Sequence, residues 1–188
     1  MDLKEAERAK YQKAWDLNDY RKTSPGENRL NDVLDRIPSY AKVIDFGAGT
    51  GRAALKIHQM NHPVVMVDFA ENCLDESVKK KLNGNFRFIE ACLWEPLFIK
   101  GDYGYCTDVL EHIPPEKVDT VLDNILNCVP QGYLNISTVD DYFGQVLGEP
   151  LHLTVRPWDW WADKVSKLAQ IEMRINPSSV SIWFKEII

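Results

Sequence analysis

VIDFGAGTGRAALKI, residues 43 to 57, decides how the rest of the chain is read. An apolar run closes on the carboxylate of Asp45, glycines follow at Gly47, Gly49 and Gly51, and helix-forming residues then take over. A strand, a glycine turn and a helix in that order bring backbone N–H groups and a helix N-terminus up to a ligand, which is the usual setting of a nucleotide. The dinucleotide fingerprint would want glycine at 47, 49 and 52, but position 52 is Arg52. Asp45, two residues ahead of the first glycine, would repel a pyrophosphate and attract a ligand that carries ammonium and sulfonium charge.

On either side of this stretch, apolar strands and helical segments alternate. Strands are predicted at 42–46, 64–69, 86–90, 103–108 and 133–138, with helices at 51–60, 71–82 and 115–128 between them. Pro115 and Glu116 suit a helix start, one by its fixed φ and the other by its charge. Such alternation predicts an α/β fold, a mostly parallel sheet with helices on both faces. Residues 157–169 read as a last helix. IEMRI (171–175) and VSIWFKEI (180–187), separated by a short turn, read as a terminal antiparallel hairpin. Ahead of the sheet, residues 3–20 carry Tyr11 and Trp15 on one helical face, Pro25-Gly26 signals a turn, and 29–37 resumes helical spacing through Leu30, Val33, Leu34 and Ile37. The first 40 residues thus form a helical cap on a single domain spanning 1–188.

The gross numbers narrow the classes of function. A chain of 188 residues, 45% hydrophobic and 27% charged, fits one globular domain. No run approaches the roughly 18 apolar residues of a membrane span, and the N-terminal segment lacks the apolar core of a secretory signal, so a cytoplasmic location is expected. Cys73, Cys92, Cys106 and Cys128 are scattered with no CxxC pair and no histidine at ligand spacing, so they read as reduced core thiols and no metal is expected. The net charge of −6 disfavours a stable complex with nucleic acid.

Four pieces in order carry a family resemblance. DFGAGTG resembles motif I of the class I S-adenosylmethionine-dependent methyltransferases, whose fold is a three-layer, doubly wound, Rossmann-like sheet. That resemblance implies S-adenosyl-L-methionine as cofactor, backbone approach along Gly47, Ala48, Gly49 and Gly51, and Asp45 near its amino group. VVMVDF then implies Asp68 as a bidentate partner of the ribose hydroxyls, with Phe69 covering adenine. IEACLWEP departs from the family, because Ala91-Cys92-Leu93 stands where an acid is common; backbone groups near Cys92 and Leu93 are left to bind the ring. YCTDVLEHI is similar to the ubiquinone-biosynthesis type and implies Thr107 and Asp108 beside the methionine moiety.

Methyl transfer needs an aligned acceptor, a dry site and, for some acceptors, a base. His112 and His152 are the catalytic candidates; for His112 the competing reading is a packed residue ordering its turn. Tyr20, Arg21 and Trp158 are assigned to the acceptor, with Arg21 free to hold an anionic group. The D/N-P-P-Y/F run of amino-directed DNA methyltransferases and the Pro-Cys of cytosine-C5 enzymes do not occur, which favours a small-molecule acceptor. A nucleic-acid or nucleotide methyltransferase and a non-catalytic cofactor-binding protein are the alternatives.

Overall fold

Val43, Ile44, Asp45 and Phe46 are all buried, as a strand covered on both faces requires. The computed structural model describes residues 2–84 and 86–187. Its sheet comprises β1 (Val43–Phe46), β2 (Val64–Asp68), β3 (Arg87–Glu90), β4 (Tyr103–Thr107), β5 (Gln131–Ser137), β6 (Ala169–Asn176) and β7 (Ser179–Glu186), in the spatial order β3-β2-β1-β4-β5-β7-β6. Strands β1 to β5 pair in parallel, whereas β7 runs antiparallel to both β5 and β6. The predicted mostly parallel sheet with a terminal antiparallel hairpin is therefore the observed one.

Helices cover both faces. The chain contributes α1 (Leu3–Asp16), α2 (Asn18–Lys22), α3 (Pro25–Arg29), α4 (Arg52–Gln59), α5 (Glu76–Leu82), α6 (Val118–Cys128), α7 (Phe143–Leu147) and α8 (Trp158–Ser166). Alternate residues of each strand feed two cores. Ile44, Phe46, Val67, Leu134 and Ile182 meet α6 and α8 on one side. Val43, Met66, Tyr105 and Tyr133 meet α4, α5 and the 30–37 segment on the other. Along α6, Val118, Val121, Leu122 and Ile125 follow the i, i+3, i+4, i+7 spacing of a single buried face. Truncating Leu122 or Ile125 to alanine is expected to cost about 2–5 kcal/mol, read from the shift in a denaturant melt.

Two expectations for the first 40 residues are corrected. Pro25-Gly26 is not itself a turn: the chain leaves helix at Thr23 and Ser24, and Pro25 then opens α3 at the position where its missing N–H loses nothing. Residues 29–37 are not one helix either, because a 3-10 turn over Leu30–Asp32 gives way to further turns. Leu30, Val33 and Ile37 are nonetheless buried. Their periodicity reported which side chains face the core and misreported the backbone. Among the described residues no helix is long and apolar enough to cross a membrane.

The carboxyl ends of β1, β2, β4 and β5 lie along one edge of the sheet. The chain order reverses between β1 and β4, the point where open α/β sheets form a crevice.

Candidate active site

The glycine turn builds the crevice floor. Gly47, Gly49 and Gly51 all have positive φ, between 51° and 76°, a region that costs any other L-residue. The N–H groups of Gly47 and Ala48 both donate to the Val67 carbonyl, at 2.8 and 3.0 Å, and Gly49 N–H donates to Asp68 Oδ2 at 2.8 Å. These three donors are thus committed within the protein. What the turn presents instead is carboxylate.

Asp45 is 3% exposed, and its Oδ2 has no hydrogen-bond partner among the described residues. Burial, with the Asp68 charge nearby, pushes its carboxyl up to about 7. Asp68 is also buried and raised by desolvation, although three backbone N–H groups (Gly49, Phe69 and Ala70) hold its carboxylate. An unpartnered buried oxygen beside a second carboxylate is a costly arrangement, which a cationic or hydrogen-bond-donating ligand relieves.

Two adjoining cavities, of about 100 and 260 Å³, meet over this turn and share Trp15, Tyr20, Gly47, Asp108 and His112 in their walls. The smaller brings Asp68 together with Phe69, Cys92, Leu93 and Trp94, a largely apolar slot in which the Phe69 and Trp94 rings lie 5.6 Å apart. The larger adds Asp45, Ala48, Gly49, Thr107, Asp141, Phe143 and His152. Trp15 of α1 roofs the turn so closely that a Cβ on Gly49 would stand 2.9 Å from its ring. Tyr20 joins that roof edge-on to Trp15 and to Phe143 of α7, at 4.8 and 5.3 Å.

The far wall is a stitched pair of loops. Asp141 accepts hydrogen bonds from the N–H groups of Gly144, Leu151 and His152. Glu111, fully buried, accepts Ser137 N–H on Oε1 at 2.8 Å, and its main-chain carbonyl accepts Leu153 and Thr154 N–H. His112 and His152 meet edge to face, ring centres 4.7 Å apart. Burial and the neighbouring His152 push the His112 imidazole down to about 3. Asp108 takes a left-handed φ of 53° that aims it into both cavities, and burial raises its carboxyl to about 6 against the pull of Arg29 and His152.

Of the residues singled out in the sequence, Asp45, Gly47, Ala48, Gly49, Asp68, Phe69, Cys92, Leu93, Thr107, Asp108, His112, His152 and Tyr20 line this composite cleft. Three do not. Gly51 faces inward, where a Cβ would meet Leu74, Val78 and Met66, so its role is packing under α4. Arg21 is consumed by the carbonyls of Trp15, Asn72 and Cys73 and by Asp75, at 3.2 Å, and fastens the cap to the domain without reaching the cleft. Trp158, at the start of α8, is 39% exposed and lines neither cavity; Trp161 is the indole of that helix that is fully buried. Glu111, Asp141 and Phe143 were missed. Glu111 lies next to the candidate His112 within YCTDVLEHI, and nothing local marked the others.

A family profile described as "Methyltransferase domain" matches residues 17–173. The chain belongs to this methyltransferase family. Solved structures agree on the fold. An O-methyltransferase family protein from Burkholderia thailandensis superposes with a TM-score of 0.68 at 14% identity, over 85% of this chain and 56% of that one. The PH0226 protein of Pyrococcus horikoshii gives 0.73 at 14% identity, over 92% and 93%. The 1,6-didemethyltoxoflavin-N1-methyltransferase of Burkholderia thailandensis, solved with 1,6-didemethyltoxoflavin and S-adenosylhomocysteine bound, gives 0.63 at 20% identity, over 87% and 77%. The methyltransferase therefore spans little more than half the length of the first of these. No curated protein matches it in sequence.

Proposed function

We propose that the acceptor of this S-adenosylmethionine-dependent methyltransferase is a small molecule, taken up in the larger cavity beside His152 within the cytoplasm. The observation that carries the reading is the buried, unpartnered Oδ2 of Asp45 over a glycine turn whose own N–H groups are already used. When bound, S-adenosylmethionine supplies an electrophilic methyl group on a sulfonium and leaves as the neutral thioether S-adenosylhomocysteine.

The chain's residues then divide the work. Asp45 holds the cofactor's ammonium. Asp68, oriented by the N–H groups of Gly49, Phe69 and Ala70, faces the ribose hydroxyls, the pairing expected from the sequence. Phe69, Leu93 and Trp94 would line the adenine slot, with Cys92 beside them. Thr107 and Asp108 border the methionine chain. Trp15, Tyr20 and Phe143 exclude water, which strengthens each charge interaction beneath them. His112 stays neutral and is too weak a base for the acceptor proton. His152 presents Nε2 to the cavity, because its Nδ1 is engaged at 2.7 Å by the Val139 carbonyl. It is the group we assign to the acceptor's proton.

Carboxylates of Asp45, Asp108 and Asp141 line the same cavity and would repel a phosphodiester backbone, which supports a small acceptor over a nucleic acid. Four free, buried cysteines suit a reducing compartment. His152→Ala is expected to keep cofactor affinity, measured by calorimetry, while S-adenosylhomocysteine formation on an acceptor panel drops by about 10²–10⁴-fold; full turnover in the variant removes the base assignment. Asp68→Ala is expected to weaken S-adenosylhomocysteine binding by about 1–3 kcal/mol, and unchanged affinity in folded protein defeats the ribose assignment.

A further inference from the structure

We propose that two copies of this chain join edge to edge through β6, antiparallel about a two-fold axis at Met173. β6 ends the sheet: it pairs with β7 over its full length and, among the described residues, with nothing on its outer side. Proteins blunt such an edge with proline, lysine, a bulge or a covering segment. Ala169–Asn176 contains no proline and no lysine, and its register against β7 runs without a bulge.

The hydrogen-bond pattern fixes which residues of β6 face outward. Glu186 N–H donates to the Pro130 carbonyl, on the β5 side of β7. Backbone groups alternate along a strand, so the even-numbered residues of β7 point to β5 and the odd-numbered ones to β6. The β6 partners of those odd residues, Gln170, Glu172, Arg174 and Asn176, therefore spend their N–H and C=O groups inside the sheet. Ile171, Met173 and Ile175 direct theirs outward.

Side chains alternate as well. Ile171, Met173 and Ile175 share the face on which Phe184, Ile182 and Val180 pack, yet Met173 and Ile175 stay 40% and 50% exposed. Glu172 and Arg174 lie on the other face, where Arg36 binds Glu172 at 2.8 Å and Asp32 binds Arg174 at 2.6 Å. The Arg36 and Arg174 guanidiniums stand 4.4 and 5.6 Å from the centre of the Trp183 ring on β7. These charged heads fold back over the sheet and leave the rim of the strand bare.

The order of residues names the occupant. With the axis at Met173, Glu172 stands opposite the partner subunit's Arg174, and Arg174 opposite the partner subunit's Glu172, so both cross-strand pairs attract. Ile171 meets the partner subunit's Ile175, and the two Met173 residues exchange backbone hydrogen bonds. Outward residues thus face outward residues, as antiparallel pairing requires. Moving the axis to Glu172 or Arg174 opposes like charges, and any larger shift shortens the paired length. A strand that complements itself under a two-fold rotation fits a second copy of this chain, and such an isologous contact uses up the edge and stops at a dimer.

The test is the mass of the full-length protein in solution, followed by analytical ultracentrifugation over a dilution series. A particle of twice the 21.6 kDa chain mass is expected. Met173→Lys, which brings two ammonium groups together on the axis, is expected to weaken association at least tenfold with the circular dichroism unchanged. Glu172→Arg and Arg174→Glu each oppose like charges and are expected to be monomeric alone. Mixed in equal amounts they are expected to pair, because one chain then offers two cations to the other's two anions. A wild-type chain that stays monomeric overturns the proposal and leaves the edge to a foreign strand. A dimer indifferent to Met173→Lys, or a mixture of the two charge variants that stays apart, overturns it too. Should a charge variant fail to fold for want of its Arg36 or Asp32 partner, Met173→Lys decides.

Discussion

Asp45→Asn is expected to weaken S-adenosylmethionine binding by about two orders of magnitude, the cost of removing one partner of a buried charge pair, while stabilising the ligand-free protein. The opposite signs come from one cause. In the free protein the Asp45 carboxyl is buried with an unpartnered oxygen and raised to about 7. Its folded pKa thus lies above the unfolded value near 3.8, so the native state binds more protons than the unfolded chain between those limits. Stability from this group is present below pH 3.8 and is lost as pH rises towards 7, a loss on the order of 2–4 kcal/mol. Asparagine abolishes that slope. Thermal melts at pH 5 and pH 8 should show the variant's advantage only growing with pH. Cofactor binding runs the other way, because a cation pairs with the ionised form alone. Below about pH 7 the apparent affinity of the wild type should fall up to tenfold per unit, and each binding event should release up to one proton. Calorimetry in buffers of different ionisation enthalpy measures that proton. A pH-independent affinity from pH 5.5 to 8, or equal affinity in Asp45→Asn, removes the ammonium from this carboxylate.

Gly47→Ala is expected to cost about 3 kcal/mol of stability, combining roughly 1–2 kcal/mol for a left-handed alanine with about 1–3 kcal/mol for overpacking. The φ is +73°, and the new Cβ would stand 2.2 Å from a methyl of Val109. For a domain of this size that shift is about 6–12 °C in melting temperature. Val109→Ala in the same chain should restore the packing part and leave the backbone part, so the double-mutant cycle shows a favourable coupling. A single Gly47→Ala variant as stable as the wild type would mean that the turn relaxes freely, and the crevice floor is then softer than described.

How much of this was legible in the sequence depends on whether the information was local. The turn at 43–57 was readable because each requirement sits within a few residues: buried strand, acid, glycines with positive φ, helix. The strands were readable because two-sided burial leaves continuous apolar runs. Backbone shape in the cap was not. Leu30, Val33 and Ile37 had to reach the core, and irregular turns bring them there as well as a helix would. Arg21 looked available because sequence shows a charge but not the three carbonyls that surround it. Trp158 was assigned to the acceptor because the sequence of the last helix does not say which of its indoles faces inward, and the buried one is Trp161.

The position of β7 between β5 and β6 imposes an order of assembly. β6 comes earlier in the chain yet touches the sheet only through β7. Its pairing with β7 closes across a tight turn and so proceeds on the microsecond scale of an isolated hairpin. Joining β7 to β5 must instead close the long excursion between Ser137 and Ser179, at greater entropic cost. Until that docking, the outer rim of β5 from Gln131 to Ser137 has bare N–H and C=O groups, and the nascent protein is then most prone to recruit a strand from a neighbouring molecule.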